Sequence, residues 1–273
     1  MNIQGVEVLI EGKGPETLLM LHGWPDTLAL WNDTVHALKD SHQCVRFTLP
    51  AFDAKAPLPP KSLLDMVAFI HQVLEQVSPA KPVTLVLHDW GCVFGYEYAA
   101  LHPHRVSRMV AVDVGDHNSG ALTSALSAKA KWAVFSYQIW LALAWQMANI
   151  LGAVGRPLAN RMTRYMAKTL RCPSPMEDMH VGMNAPYAMK WMGALGGLGG
   201  ACKALKILPT ARPMLYIYGK RKPFMFHSAQ WLEKIASFPG SHVEGFDTGH
   251  WVMSAKPEQF NAVLKTWLNS SSQ

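Results

Sequence analysis

Short apolar runs, rich in β-branched residues, recur along the chain: VEVLI from Val6, TLLML from Thr17, CVRFTL from Cys44, VTLVL from Val83, MVAVDV from Met109 and PMLYIY from Pro213. Runs of this length between polar segments read as strands. Between them the apolar period changes. Leu63, Leu64, Val67, Ile70 and Leu74 recur at three- and four-residue spacing within 62–76, and 92–101 reads in the same way, so both predict helices. Strand and helix in alternation predict parallel β-α-β units and an α/β class, doubly wound, mostly parallel sheet. From about Gly115 to Leu205 the strand signals stop. The sequence there is helical in pattern, rich in Met and Trp, and closes on Gly193, Gly196, Gly197, Gly199 and Gly200. The expected organisation is a core of 1–114 and 206–273 with a helical cap, 115–205, inserted after the sixth strand. No internal repeat is visible, and 57–60 (PLPP) is the one short Pro-rich loop.

Composition narrows the class. The 273 residues are 49% hydrophobic and 16% charged, with 10 Trp and 15 Met, which excludes disorder and leaves aromatic surface for handling something apolar. The net charge of +6 is dispersed, its longest run being Lys220, Arg221 and Lys222, so no nucleic-acid partner is expected. Cys44, Cys92, Cys172 and Cys202 lie far apart without a C-x-x-C pair, which suggests neither a zinc site nor a disulfide framework. With no secretory signal pattern at the first residues, a cytoplasmic location is expected.

One segment tests that placement. Residues 132–155 (WAVFSYQIWLALAWQMANILGAVG) are uncharged, flanked by Lys131 and Arg156, and long enough to cross a bilayer core of about 30 Å. They also carry Ser136, Gln138, Gln146 and Asn149, and a span there would put the motifs on either side of it across a membrane from each other. No transmembrane span is therefore expected. The segment reads as a cap helix, with peripheral membrane contact or homodimerisation through the cap left open.

Chemistry concentrates in three stretches. VTLVLHDWGC, from Val83 to Cys92, is a strand, a tight turn and a helix with Asp89 at the centre of the turn. A side chain there projects above the sheet edge near a helix N-terminus, although an isolated Asp before a helix is also a common cap. LMLHGWP, from Leu19 to Pro25, runs a strand into a His-Gly-aromatic-Pro loop of the kind that offers a backbone N–H to an oxyanion. FDTGHW, from Phe246 to Trp251, precedes an amphipathic final helix carrying Phe260, Val263, Leu264, Trp267 and Leu268.

Together these motifs resemble the α/β-hydrolase fold family, specifically its Asp-nucleophile branch of epoxide hydrolases and haloalkane dehalogenases, over nearly the whole chain. The resemblance implies Asp89 as nucleophile, His250 as base, and the N–H groups of Trp24 and Trp90 as an oxyanion hole, where each donor is worth roughly 3 kcal/mol in a comparable acyl-transfer site. Aspartate suits displacement at a saturated carbon. The implied cycle forms an alkyl-enzyme ester on Asp89, which water activated by His250 then hydrolyses. The chain departs from the family at 219–223 (GKRKP), where Lys222 stands in place of the usual acid. Lys222 cannot orient an imidazolium. A known family alternative places the acid after the sixth strand, which points to Asp113, with Asp116 and Asp247 as weaker candidates.

An aromatic at Trp24 resembles the epoxide hydrolases more than the dehalogenases. Those enzymes protonate the departing oxygen with two cap tyrosines, for which Tyr137, in a Tyr-Gln pair, and Tyr187 are the candidates and Tyr165 the reserve. Trp132, Trp140, Trp145, Met147, Met183, Met189, Trp191 and Met192 suggest an apolar pocket wall for a small lipophilic substrate. The expected function is epoxide opening to a diol, with haloalkane dehalogenation and a non-catalytic binding module as alternatives. The absence of a G-x-S-x-G motif argues against a serine esterase. No metal or organic cofactor is implied.

Overall fold

The computed structural model describes residues 1–55, 58–193 and 212–270. Eight strands form one sheet: β1 (Asn2–Ile3), β2 (Val6–Glu11), β3 (Thr17–Leu21), β4 (Gln43–Phe47), β5 (Val83–His88), β6 (Val106–Val112), β7 (Met214–Gly219) and β8 (His242–Phe246). Their spatial order is β1-β2-β4-β3-β5-β6-β7-β8. The pairs β1–β2 and β2–β4 are antiparallel and all others parallel. Helices α1 (Asn32–Leu38), α2 (Leu63–Val77) and α3 (Trp90–Leu101) connect the first strands. Helices α4 (Gly120–Ala125), α5 (Ala128–Thr169) and α6 (Ala185–Gly193) intervene between β6 and β7. Helices α7 (Ala229–Ala236), α8 (Val252–Ala255) and α9 (Pro257–Ser270) complete the chain.

The two faces of the sheet follow from the two-residue period of a strand. Leu18 and Met20 of β3, Val86 of β5 and Leu215 and Ile217 of β7 point to one side, where Val35 and Leu38 of α1 and Phe260, Leu264 and Trp267 of α9 cover them. Leu19, Leu21, Leu85, Leu87 and Met109 point to the other, against α2 and α3. Both faces being covered explains why the central strands read as unbroken apolar runs. Helix α2 begins where Ser62 and Asp65 form a reciprocal capping box.

All six runs read as strands are strands. Two others escaped the pattern: β1 has two residues, and β8 is a half-exposed edge strand, HVEGF, whose Glu244 and Gly245 interrupt any apolar run. The long apolar segment lies in α5, which is broken at Gly152 (φ 55°, ψ −131°). Its two arms, 128–151 and 153–169, fold back on each other through Ala144, Ala148 and Ala159, and the Trp140 indole donates to the Met162 carbonyl across them at 3.1 Å. Among the described residues no helix is long and apolar enough to cross a membrane. The expected return to the sheet at 205/206, the glycines from Gly196 to Gly200, and Cys202 lie outside the described residues.

The parallel strands bring their C-terminal ends to one edge, where an open α/β sheet collects its functional loops. Helix α3 docks tightly there: a Cβ on Gly91 would lie 2.3 Å from the Leu21 carbonyl oxygen, and one on Gly95 would lie 2.4 Å from the Leu87 side chain. The close approach of α3 to β3 sets the height of the turn at residue 89. Gly91→Ala is therefore expected to lower stability by about 1–3 kcal/mol, as overpacking does, measured as a fall in the urea midpoint.

Candidate active site

Asp89 sits between β5 and α3 with φ 52° and ψ −119°, a conformation that L side chains rarely adopt. Its carboxylate makes no cap to α3. Instead the strained turn lifts it clear of the helix and into the loop after β3. There Oδ1 accepts the Trp24 N–H at 2.7 Å. Gly23 is required by this approach, because a Cβ would lie 2.3 Å from Asp89 Oδ1. The Trp90 N–H, at the start of α3, adjoins the same glycine.

His250 follows β8 and stands between two carboxylates. Its Nε2 lies 3.5 Å from Asp89 Oδ2, and its Nδ1 is bonded to Asp113 Oδ2. Asp113 is fully buried at the end of β6, with φ 70°. Its Oδ1 accepts the Gly219 N–H at 2.9 Å and is ion-paired with Lys222 Nζ. Lys222 thus does not orient the imidazole; it secures the carboxylate that does. The adjacency comes from the register of β6 on β7, in which Val112 pairs with Ile217.

Burial opposes charge on His250, yet Asp113 and Asp89 together raise its pKa to about 9. Burial by itself would raise both carboxyls. The imidazole beside Asp89, and Lys222 with the imidazole beside Asp113, instead hold them below the usual carboxylate range.

Above Asp89 lies a cavity of about 80 Å³ whose lining includes Trp90, Tyr137, Gln138, Tyr187 and Phe226. The Tyr187 ring packs edge-on against Trp90, with centroids 5.3 Å apart, and against Tyr137 at 6.0 Å. The Tyr137 hydroxyl accepts from Gln138 Nε2 at 3.1 Å, and Gln138 Oε1 accepts from the Trp191 indole at 3.1 Å. Burial pushes both phenols above their ordinary value of 10, so both keep their protons at neutral pH. Among the described residues no group of three or more His, Cys, Asp or Glu side chains could hold a metal ion.

Other expected residues lie elsewhere. Asp116 accepts the N–H and hydroxyl of Ser228, each at 2.7 Å, and so ties the start of α7 to the end of β6. Asp247 is exposed and paired with Arg221, and Tyr165 is 60% exposed on the second arm of α5. The expected wall of Met and Trp is not what lines this cavity. Met183 and Met189 are buried in the core, Trp132 and Trp140 face solvent, and the Met192 side chain lies outside the described residues. The physical reason is the phase of α5, which turns Tyr137 and Gln138 inward and its tryptophans outward.

Asp26 escaped the sequence reading, although it directly follows the HGWP loop. It is fully buried, accepts from Ser174 Oγ at 2.6 Å and from the Trp251 indole at 2.9 Å, and lies 3.8 Å from His88 Nδ1. Burial raises its pKa to about 6. It links the loop after β3, the segment before α6 and the residue beside His250. Its position directly after the HGWP loop is the only mark it leaves in the sequence.

A family model described as the alpha/beta hydrolase fold matches residues 16–257. The chain belongs to the α/β-hydrolase fold family. Within it, the chain is 32% identical over 112 residues to a cis-3-alkyl-4-alkyloxetan-2-one decarboxylase of Shewanella oneidensis, covering 38% of this chain and 34% of that protein. It is 30% identical over 108 residues to epoxide hydrolase 2 of Caenorhabditis elegans, covering 37% and 30%. These matches span about a third of the relatives' own length. The crystal structure of a Bacillus megaterium epoxide hydrolase in complex with an inhibitor superposes with a TM-score of 0.68 at 19% identity, covering 97% of this chain and 96% of that one.

The charge arrangement around His250 has a measurable sign. In an NMR titration the imidazole is expected to titrate at about 9 in the wild type, to fall by about 1–3 units in Asp113→Asn, and to rise in Lys222→Met, where a neighbouring cation is lost. Because the folded value is raised above 6.5, the stabilisation is complete below pH 6.5 and is lost as pH climbs through about 9. The urea midpoint should fall across that window in the wild type, and Asp113→Asn should flatten that slope.

Proposed function

We propose that the protein is an epoxide hydrolase that opens a small lipophilic epoxide to a diol through an ester on Asp89. The observation that carries this reading is the pair of protonated phenols, Tyr137 and Tyr187, lining the cavity that Asp89 also lines. Residues 115–205 would act as the cap supplying both tyrosines to a core of 1–114 and 206–273. A carboxylate oxygen of Asp89 attacks an epoxide carbon, the ring C–O bond breaks, and its electron pair stays on the oxygen, which takes a proton from a tyrosine. Ester formation removes the Asp89 charge, one of the two anions that hold His250 protonated. The imidazolium then surrenders its proton, which restores the tyrosine and leaves a neutral base. Water gives a proton to His250 and attacks the ester carbonyl, while the Trp24 and Trp90 N–H groups hold the oxyanion. Collapse breaks the ester C–O bond, and the departing alkoxide takes the remaining proton of the attacking water from the new carboxyl, which releases the diol and restores the Asp89 carboxylate.

A relative named as an epoxide hydrolase supports the same reading. Dehalogenation would need the Trp90 indole and a second N–H donor for the departing halide, and the Trp24 indole is not free to be that second donor, because it donates to Asn184 Oδ1 at 2.9 Å. The unbroken sequence of contacts from Asp89 through His250 to Asp113 and Lys222 disfavours a purely binding module.

Intact-mass spectrometry of His250→Gln after incubation with a panel of epoxides and haloalkanes tests the reading. An adduct equal to the whole epoxide mass, absent from Asp89→Asn, is the expected result. An alkyl adduct without its halogen would replace it with dehalogenation, and no adduct would overturn it. Tyr137→Phe and Tyr187→Phe should each lower epoxide turnover roughly a hundredfold while the protein still melts cooperatively.

A further inference from the structure

Helix α5 carries apolar side chains on its outward face as well as on the face it buries. Trp132, Phe135, Leu143, Ile150, Leu151 and Val154 are exposed, with Val154 at 86%, Ile150 at 71% and Trp132 at 68%. Trp132, Phe135, Leu143 and Ile150, spaced by three, eight and seven residues, lie along one side of the helix, a stripe of about 27 Å at the rise of an α-helix. A contiguous exposed apolar patch of this size marks an interaction surface. The sequence around it is predominantly basic, with the exposed Glu177 and Asp178 as its nearest acids after Asp116. Residues 117–176 contain Lys129, Lys131, Arg156, Arg161, Arg164, Lys168 and Arg171 and no Asp or Glu, although the whole chain has 25 basic and 19 acidic residues. The cap therefore holds essentially all of the net positive charge. On the second arm, Arg161, Arg164, Tyr165 and Lys168 line a common groove.

We propose that the outer face of α5 is a membrane-docking surface that lays the cap on the headgroups of an anionic bilayer. A helix with exposed Trp, Phe and Leu flanked by Lys and Arg has the composition of one that lies in the interface plane. Each basic residue near an anionic surface adds about 1 kcal/mol of attraction. A second copy is a poor occupant, because a twofold contact sets a patch against itself and would oppose two faces on which basic residues outnumber acidic ones. The same face also connects to the cavity. Trp132 packs on Phe135 at 5.7 Å, Phe135 packs edge-on against Trp191 at 5.2 Å, and the Trp191 indole donates to Gln138 in the cavity wall. A lipophilic molecule held in the bilayer would meet this aromatic series first.

Vesicle flotation tests the proposal, using phosphatidylcholine alone and phosphatidylcholine with about 30% phosphatidylglycerol, where the anionic lipid supplies the surface potential. Wild-type protein should float with the anionic vesicles at least about tenfold more strongly than with the neutral ones, and about 0.5 M sodium chloride should screen most of that difference. The combined variant Trp132→Ser, Leu143→Gln, Ile150→Gln, Val154→Ser should lose flotation while turning over a short, water-soluble substrate like the wild type. The variant Arg156→Gln, Arg161→Gln, Lys168→Gln changes only exposed charges, and should weaken anionic binding roughly fivefold for each charge removed. Wild-type protein that stays out of anionic vesicles would overturn the proposal. So would a wild-type dimer in light scattering that the apolar variant converts to monomer, since the face would then be covered by a second copy. Flotation is read without turnover, so a failed epoxide assay and a failed docking surface are separate results.

Discussion

The buried carboxylate of Asp113 is the constraint on which the site depends. A fully buried anion is costly unless opposite charge and hydrogen bonds surround it, and here the Lys222 ammonium, the Gly219 N–H and the His250 imidazole do so. Each partner comes from a different place in the chain: the loop after β7, the end of β7 and the loop after β8. The ends of three adjacent strands are thereby drawn to one point. The imidazole that emerges has one nitrogen committed to Asp113 and the other facing Asp89. The strain at residue 89 is tolerated because Trp24, Gly23 and Gly91 enclose the turn on the remaining sides.

Much of this was legible from local pattern, because local pattern is what a doubly wound sheet imposes. The apolar runs at β3, β5 and β6 are unbroken since both sheet faces are covered, and the three- and four-residue apolar spacing from Leu63 to Leu74 marks α2. Asp89, His250 and Asp113 were readable because each follows directly on a strand or motif. What escaped is non-local. The partner of Lys222 lies 109 residues away in sequence, so its role appears only when β6 and β7 pair. Asp26 is unremarkable in a loop until Ser174 and Trp251 close on it from distant segments. Strand β8 has no apolar run because it lies at the sheet edge.

Helix α5 shows the limit of composition as a guide. Its Met and Trp content suggests an apolar pocket wall, but content carries no phase. The backbone rotates Tyr137 and Gln138 toward the cavity and Trp132 and Trp140 toward solvent. The break at Gly152, near the end of the uncharged stretch, folds α5 into a hairpin in which alanines of the two arms pack closely, leaving larger side chains outside.

The pairing of Val112 with Ile217 places the ends of β6 and β7 side by side, where Asp113, after one, bonds the imidazole and meets the Gly219 N–H and Lys222 from the other. A carboxylate growing from either end would therefore arrive at nearly the same point. The position of such a group along the chain is free to migrate between neighbouring strand ends while its position in space stays put, and the vacated end can take up the opposite charge. A lineage could exchange the two by gaining the second acid before losing the first, passing through forms in which the imidazole is never without a partner.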